Sequence, residues 1–136
     1  MIDEMIKDYN EVTRSLSSHF KNTVKVNKRY IVIKPIVYFK LGEPAKVSFY
    51  TRKANNNLYI SSSIKPGKSS YYSIMRTRLN KVLKNENQTL KQLLDSRAVS
   101  IPSVRVRIPR ALDLLPREYE IDFIYGDLIQ IKGVII

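Results

Sequence analysis

Apolar residues in the first twenty positions fall at helical spacing. Ile2, Met5, Ile6, Tyr9, Val12, Leu16 and Phe20 form one stripe, and Asp3, Glu4, Lys7, Asp8, Glu11 and Arg14 lie opposite. This predicts an N-terminal helix over residues 1–22. From Thr23 the period shortens to two. Val24 and Val26 alternate with Lys25 and Asn27, and the β-branched run Tyr30-Ile31-Val32-Ile33 stops at Lys34-Pro35. Val47, Phe49 and Thr51 alternate with Lys46, Ser48 and Tyr50. Asn55-Asn56-Asn57 then signals a turn before a strand from Leu58. A first β unit over 23–65 follows from this pattern.

Pro66-Gly67 breaks the alternation. Beyond it, Tyr71, Met75, Leu79 and Val82 recur at helical spacing among Arg76, Arg78, Lys81 and Lys84, which predicts a basic amphipathic helix over 70–85. Leu90, Leu93 and Leu94 predict a second helical turn within 88–97. The stretch 66–101 therefore reads as a helical linker. A second β unit over 102–136 begins with Val104, Val106 and Ile108 alternating with Arg105 and Arg107. It continues through an apolar turn (Ala111, Leu112, Leu114, Leu115), Tyr119–Ile124, a turn at Gly126-Asp127 and Leu128–Lys132. The last residues, Val134, Ile135 and Ile136, are expected to be buried.

The two β units resemble each other. Counted from Pro35 and from Pro109, a leucine stands at +6 (Leu41, Leu115), a β-branched residue at +12 (Val47, Ile121) and a phenylalanine at +14 (Phe49, Phe123). The second unit, through Val106, Ile108, Pro109, Leu112, Leu115, Ile121, Phe123 and Ile131, resembles the AbrB/SpoVT family of swapped-hairpin DNA-binding domains. The turn between Pro109 and Ile121 is shorter than that family's usual spacing and lacks its glycine. The resemblance implies that two hairpins interlock into one barrel, here within one chain, with the linking helices as a surface insertion. It also implies that Lys34, Arg105, Arg107 and Arg110, beside the two prolines, face DNA. The expected architecture is thus a single α+β domain: a β-rich core of two related strand-turn-hairpin units, an AbrB-like barrel, with an N-terminal helix and a helical insertion between the units.

Charge sharpens the functional side. The chain of 136 residues carries 24 Lys and Arg against 12 Asp and Glu, a net charge of +12. Residues 1–20 are net negative, as are residues 111–136, so the whole excess lies between 21 and 110. A block of that sign needs a polyanion to relieve its self-repulsion, and nucleic-acid phosphate is the commonest. Arg105 and Arg107 share one strand face and suit contacts with phosphates or guanine edges. Arg76, Arg78 and Lys81 extend the basic surface along the linker. With no cysteine there is no disulfide and no thiolate zinc site. The acidic, amphipathic start is unlike a signal peptide, no lipidation motif is visible, and an intracellular, cytoplasmic setting without a membrane partner is expected.

Some residues also suit other chemistry. Glu120, Asp122, Gln130 and Lys132 resemble the metal-binding hairpin of restriction-endonuclease-like nucleases, where carboxylates hold Mg²⁺ beside a scissile phosphate. Gln130 stands where a second anionic ligand belongs, so no metal, cofactor or catalytic residue is assigned. Glycine occurs only at 42, 67, 126 and 133, which provides no phosphate loop, and His19 has no catalytic partner in the sequence. Tyr50, Arg52, Lys53 and Tyr59 fall on one hairpin and suit base stacking with phosphate contact, so single-strand binding or coating of nucleic acid in a virion is a second alternative. The sequence expectation is a non-enzymatic binder of duplex DNA, a transcriptional regulator or architectural protein of viral or archaeal character by composition. The N-terminal helix or the C-terminal strand is a candidate homodimer contact.

Overall fold

The computed structural model describes residues 20–52, 57–63, 70–96 and 100–134, with the side chain of Arg52 excepted. The N-terminal helix expected over 1–22 lies almost wholly outside the described residues. Eight antiparallel strands close a barrel: β1 (Thr23–Val26), β2 (Tyr30–Ile33), β3 (Lys46–Arg52), β4 (Asn57–Ser61), β5 (Tyr72–Met75), β6 (Val104–Arg107), β7 (Glu118–Tyr125) and β8 (Leu128–Ile131). Around the barrel the order is β1-β2-β6-β5-β3-β4-β8-β7, and β7 pairs back onto β1. Alternation sets which residues point inward: in β6 Val104 and Val106 are buried while Arg105 and Arg107 are exposed. The interior is filled by β-branched and leucine side chains, with Val24, Ile31, Ile33, Val47, Ile60, Ile129 and Ile131 wholly buried.

The strand order has an internal two-fold character. Exchanging β1 with β5, β2 with β6, β3 with β7 and β4 with β8 returns the same cycle. Each unit inserts its first strand pair between the second and third strands of the other: β1 and β2 sit between β7 and β6, and β5 and β6 sit between β2 and β3. Two matched offsets from the sequence survive as equivalent places. Val47 and Ile121 are buried, and Phe49 faces Ile60 as Phe123 faces Ile129. The proline anchor itself is one residue out of step in the preceding strands. Two residues before Pro35 stands buried Ile33, but two before Pro109 stands exposed Arg107, so Val106 is the inward residue that answers Ile33.

The third matched offset also fails in detail, because Leu41 is buried and Leu115 is 70% exposed. Between β2 and β3 the chain forms helix α1 (Pro35–Lys40), started by a proline in its first turn. After β6 only a turn forms, held by the Leu112 N–H donating to the Pro109 carbonyl.

The helical linker differs from expectation. Residues 72–75 are not helical; they are β5, the strand that joins β3 to β6, with Ile74 buried and Ser73 and Met75 exposed. The helix begins later, as α2 (Thr77–Glu86), and ends at Asn87 in the left-handed region at φ 50°. Helix α3 (Leu90–Asp95) starts with a capping box in which Thr89 and Gln92 satisfy each other's backbone N–H. These helices are not a surface addition: Leu79, Leu90, Leu93 and Leu94 are buried in the common core, and α3 packs on α1. Tyr38 of α1 is wholly buried. Its hydroxyl donates to the Pro44 carbonyl (2.8 Å) and accepts from Arg76 Nη1 (2.9 Å). Burial raises its pKa above the usual tyrosine value despite the neighbouring guanidinium. At the C-terminal end Val134 is buried as expected, and residues 135–136 lie outside the described residues.

Candidate nucleic-acid interface

The outward side of the four adjacent strands β1, β2, β6 and β5 carries Thr23 and Lys25, Tyr30 and Val32, Arg105 and Arg107, and Ser73 and Met75. No carboxylate stands among these positions. Across the strands, Lys25 lies opposite Val32, Val32 opposite Arg105, and Arg105 opposite Met75. Arg107 lies opposite Tyr30. The Arg105 guanidinium sits over the Tyr30 ring, 4.4 Å from its centre. A guanidinium stacked this way keeps its N–H edge available while its flat face is shielded.

The connection between β1 and β2 adds two cations. The Asn27 side-chain oxygen accepts from the N–H groups of Arg29 (3.0 Å) and Tyr30 (2.7 Å), which closes a tight turn with Lys28 and Arg29 exposed. The Ile108 N–H donates to the Arg29 carbonyl (2.9 Å), fixing the turn beside the end of β6. Lys28, Arg29 and Arg107 therefore gather at one end of the face. Lys25, Lys28 and Arg29 were missed from sequence. The signal was an Asn followed by two cations and an aromatic between alternating strands, which reads equally as an ordinary solvated turn.

The other residues named from sequence divide. Lys34 is not free: its Nζ is 2.6 Å from Glu118 Oε1, which also accepts from the Thr23 hydroxyl at 2.6 Å. The Lys34 hydrogen bond, then that of Thr23, holds the Glu118 carboxyl below its usual pKa. Arg76 is tied to Tyr38 and, through Nε, to the Asn80 side-chain oxygen (2.6 Å), so it braces α1 against α2. Arg78 and Lys81 are exposed on α2, and Arg110 is exposed in the turn after β6. Arg78 shares with Arg105 a cleft of about 350 Å³ that is also lined by Val32, Met75, Thr77, Pro102 and Ser103. Arg52 ends β3, away from this face, and Lys53 lies outside the described residues.

Opposite charge borders the face on β7, the other neighbour of β1, where Glu118 lies opposite Lys25 and Glu120 opposite Thr23. Glu118, Glu120 and Asp122 alternate outward along β7. On the β7–β8 hairpin Asp122 faces Gln130, and its Oδ1 is 3.1 Å from Lys132 Nζ. The carboxylate of the nuclease-like pattern thus has an ammonium partner, and among the described residues no three His, Cys, Asp or Glu side chains converge to hold a metal ion. Elsewhere Tyr50 and Tyr59, partners across β3 and β4, line a cleft of about 360 Å³ with Tyr125 and Asp127. No helix among the described residues is long and apolar enough to cross a membrane. Comparison with protein-family models, with curated proteins and with solved structures finds no match to this chain.

Proposed function

We propose that this protein binds nucleic acid, duplex DNA in the first place, through the outward face of β1, β2, β6 and β5, without transforming it. The observation that carries this is the segregation of charge. Lys25, Arg105 and Arg107, with Lys28 and Arg29 at the turn, share a face with no carboxylate among its outward positions, and Glu118, Glu120 and Asp122 of the neighbouring β7 mark its edge, Glu118 opposite Lys25. Such a face neutralises phosphates along a backbone and releases their counterions. The stacked Arg105 and the neighbouring Arg107 are two forked donors on one exposed strand, suited to phosphate or to the O6 and N7 of guanine. The resemblance of the second β unit to AbrB/SpoVT domains supports the same reading, since that family uses interlocked hairpins and basic strand ends. A role as transcriptional regulator or architectural protein follows within it.

The direct test replaces Arg105 and Arg107 together by alanine and measures binding to a duplex of mixed sequence. Both side chains are exposed, so the fold is expected to keep its melting temperature while affinity falls by about tenfold or more. Unchanged affinity in the double variant would remove this face from consideration.

A further inference from the structure

We infer that the cleft between β6 and the start of α2, which opens at the edge of the sheet face and shares Val32, Met75 and Arg105 with it, is a phosphate site for one nucleotide unit; this rests on the nucleic-acid reading above. Arg78 and Arg105 line it from different elements, with Thr77 and Ser103 beside them. The rest of its wall, Val32, Met75 and Pro102, is apolar. That division suits a ligand with an anionic end and a flat, weakly polar body: a phosphate beside Arg78 and a sugar or base against Met75, which is 39% exposed. At about 350 Å³ the cleft has the size of a single nucleotide rather than of a groove that tracks a strand. The Arg105 guanidinium itself lies over the Tyr30 ring, which is outside the cleft lining, so Arg78 is the cation that meets the phosphate directly. Among the described residues no carboxylate lines the cleft, so an anion entering it meets no repulsion from these walls.

The phosphate could belong to a nucleic-acid backbone or to a free nucleotide, and the two sources separate by competition. The probes are adenosine monophosphate, adenosine and a mixed-sequence duplex, measured by calorimetry and by fluorescence anisotropy on the full chain. Adenosine monophosphate is expected to bind one to one and adenosine not to bind. Arg78→Gln should weaken the nucleotide by about tenfold, as loss of a charge-assisted hydrogen bond does. Lys84→Gln, an exposed charge removed elsewhere on α2, should change it less than about twofold. Displacement of the duplex by the nucleotide assigns the site to backbone phosphate; simultaneous binding of both assigns it to a free nucleotide. Failure of the nucleotide to bind, or equal binding to Arg78→Gln, overturns the cleft. Salt-dependent duplex binding lost on Lys28→Ala with Arg107→Ala, neither of which lines the cleft, would survive that outcome and leave the sheet-face reading standing.

Discussion

The Arg105 guanidinium is centred 4.4 Å above the ring of Tyr30, a diagonal neighbour on the adjacent strand. The contact decides where the charge of β6 points. An arginine on an exposed strand otherwise samples many rotamers, and binding must stop that motion; the ring has already limited it. Tyr30→Leu keeps every charge on the face and removes the stack. Its duplex affinity should fall by about threefold to tenfold, the worth of an exposed to partly desolvated cation–π contact. Loss of affinity without change in the salt slope is the expected signature in anisotropy titrations. An unaltered affinity would show that the stack is incidental.

Salt dependence measures how many phosphates the face engages. If Lys25, Lys28, Arg29 and Arg107 each neutralise one, log K should fall against log salt with a slope of about −4. Arg107→Gln should reduce that slope by about one. A flat dependence contradicts the polyanion reading altogether.

The Lys34–Glu118 pair gives a pH prediction of known sign. The Glu118 carboxyl is held below its usual pKa by Lys34 and Thr23, so the folded state prefers it ionised. The stabilisation is present above the ordinary carboxylate range and is lost as pH falls through the depressed folded value. Glu118 is 46% exposed at its side chain, so the pair is worth no more than about 1 kcal/mol. The native protein should melt slightly above Glu118→Gln at pH 7, and the two should converge below about pH 4. The same substitution frees Lys34 at the rim of the basic face and should tighten duplex binding at neutral pH.

Barrel closure rests on pairs such as Ile60 and Ile129, which face each other across β4 and β8 and are both wholly buried. Ile60→Ala should cost about 2–5 kcal/mol in chemical denaturation, and Thr89→Ala, which removes the cap of α3, about 1 kcal/mol. The reverse order would mean that the helices, not the strands, carry the fold.

The nuclease-like hairpin has its own test. With Gln130 opposite Asp122 where a second carboxylate would be needed, supercoiled plasmid is expected to stay intact in the presence of Mg²⁺. Cleavage that disappears in Asp122→Ala would replace the binding reading by a catalytic one.

Period-two alternation made β1 and β6 readable, because one face of each meets the barrel interior and the other meets solvent; in β3 the same reading found the strand although Val47 and Ser48 are both buried. Helix α1 was not readable. Ile36-Val37-Tyr38-Phe39 is an unbroken apolar run without a helical stripe, and the helix depends on Pro35 at its start and on the distant Arg76 against Tyr38. β5 was hidden for the opposite reason. Tyr71 and Met75 happen to continue the helical spacing of Leu79 and Val82, although the chain changes from strand to helix at Arg76. On the proposed face, the outward direction of Arg105 and Arg107 was legible from alternation alone, whereas the ion pair of Lys34 was not, because its partner Glu118 is 84 residues away. Lys25, Lys28 and Arg29 became part of the face only once β1 was placed beside β2 and β6.

Mutual insertion of the two halves also sets the timing of folding. β1 is held on one side by β7, with Thr23 opposite Glu120, so the earliest strand of the barrel waits for nearly the last. While the chain emerges, the first hairpin has an unpaired edge and no closed interior to enter. Long-range pairing of this kind is intrinsically slow and exposes sticky edges in the interval. A truncated chain ending before β7 should therefore accumulate as aggregate rather than as a stable half-barrel.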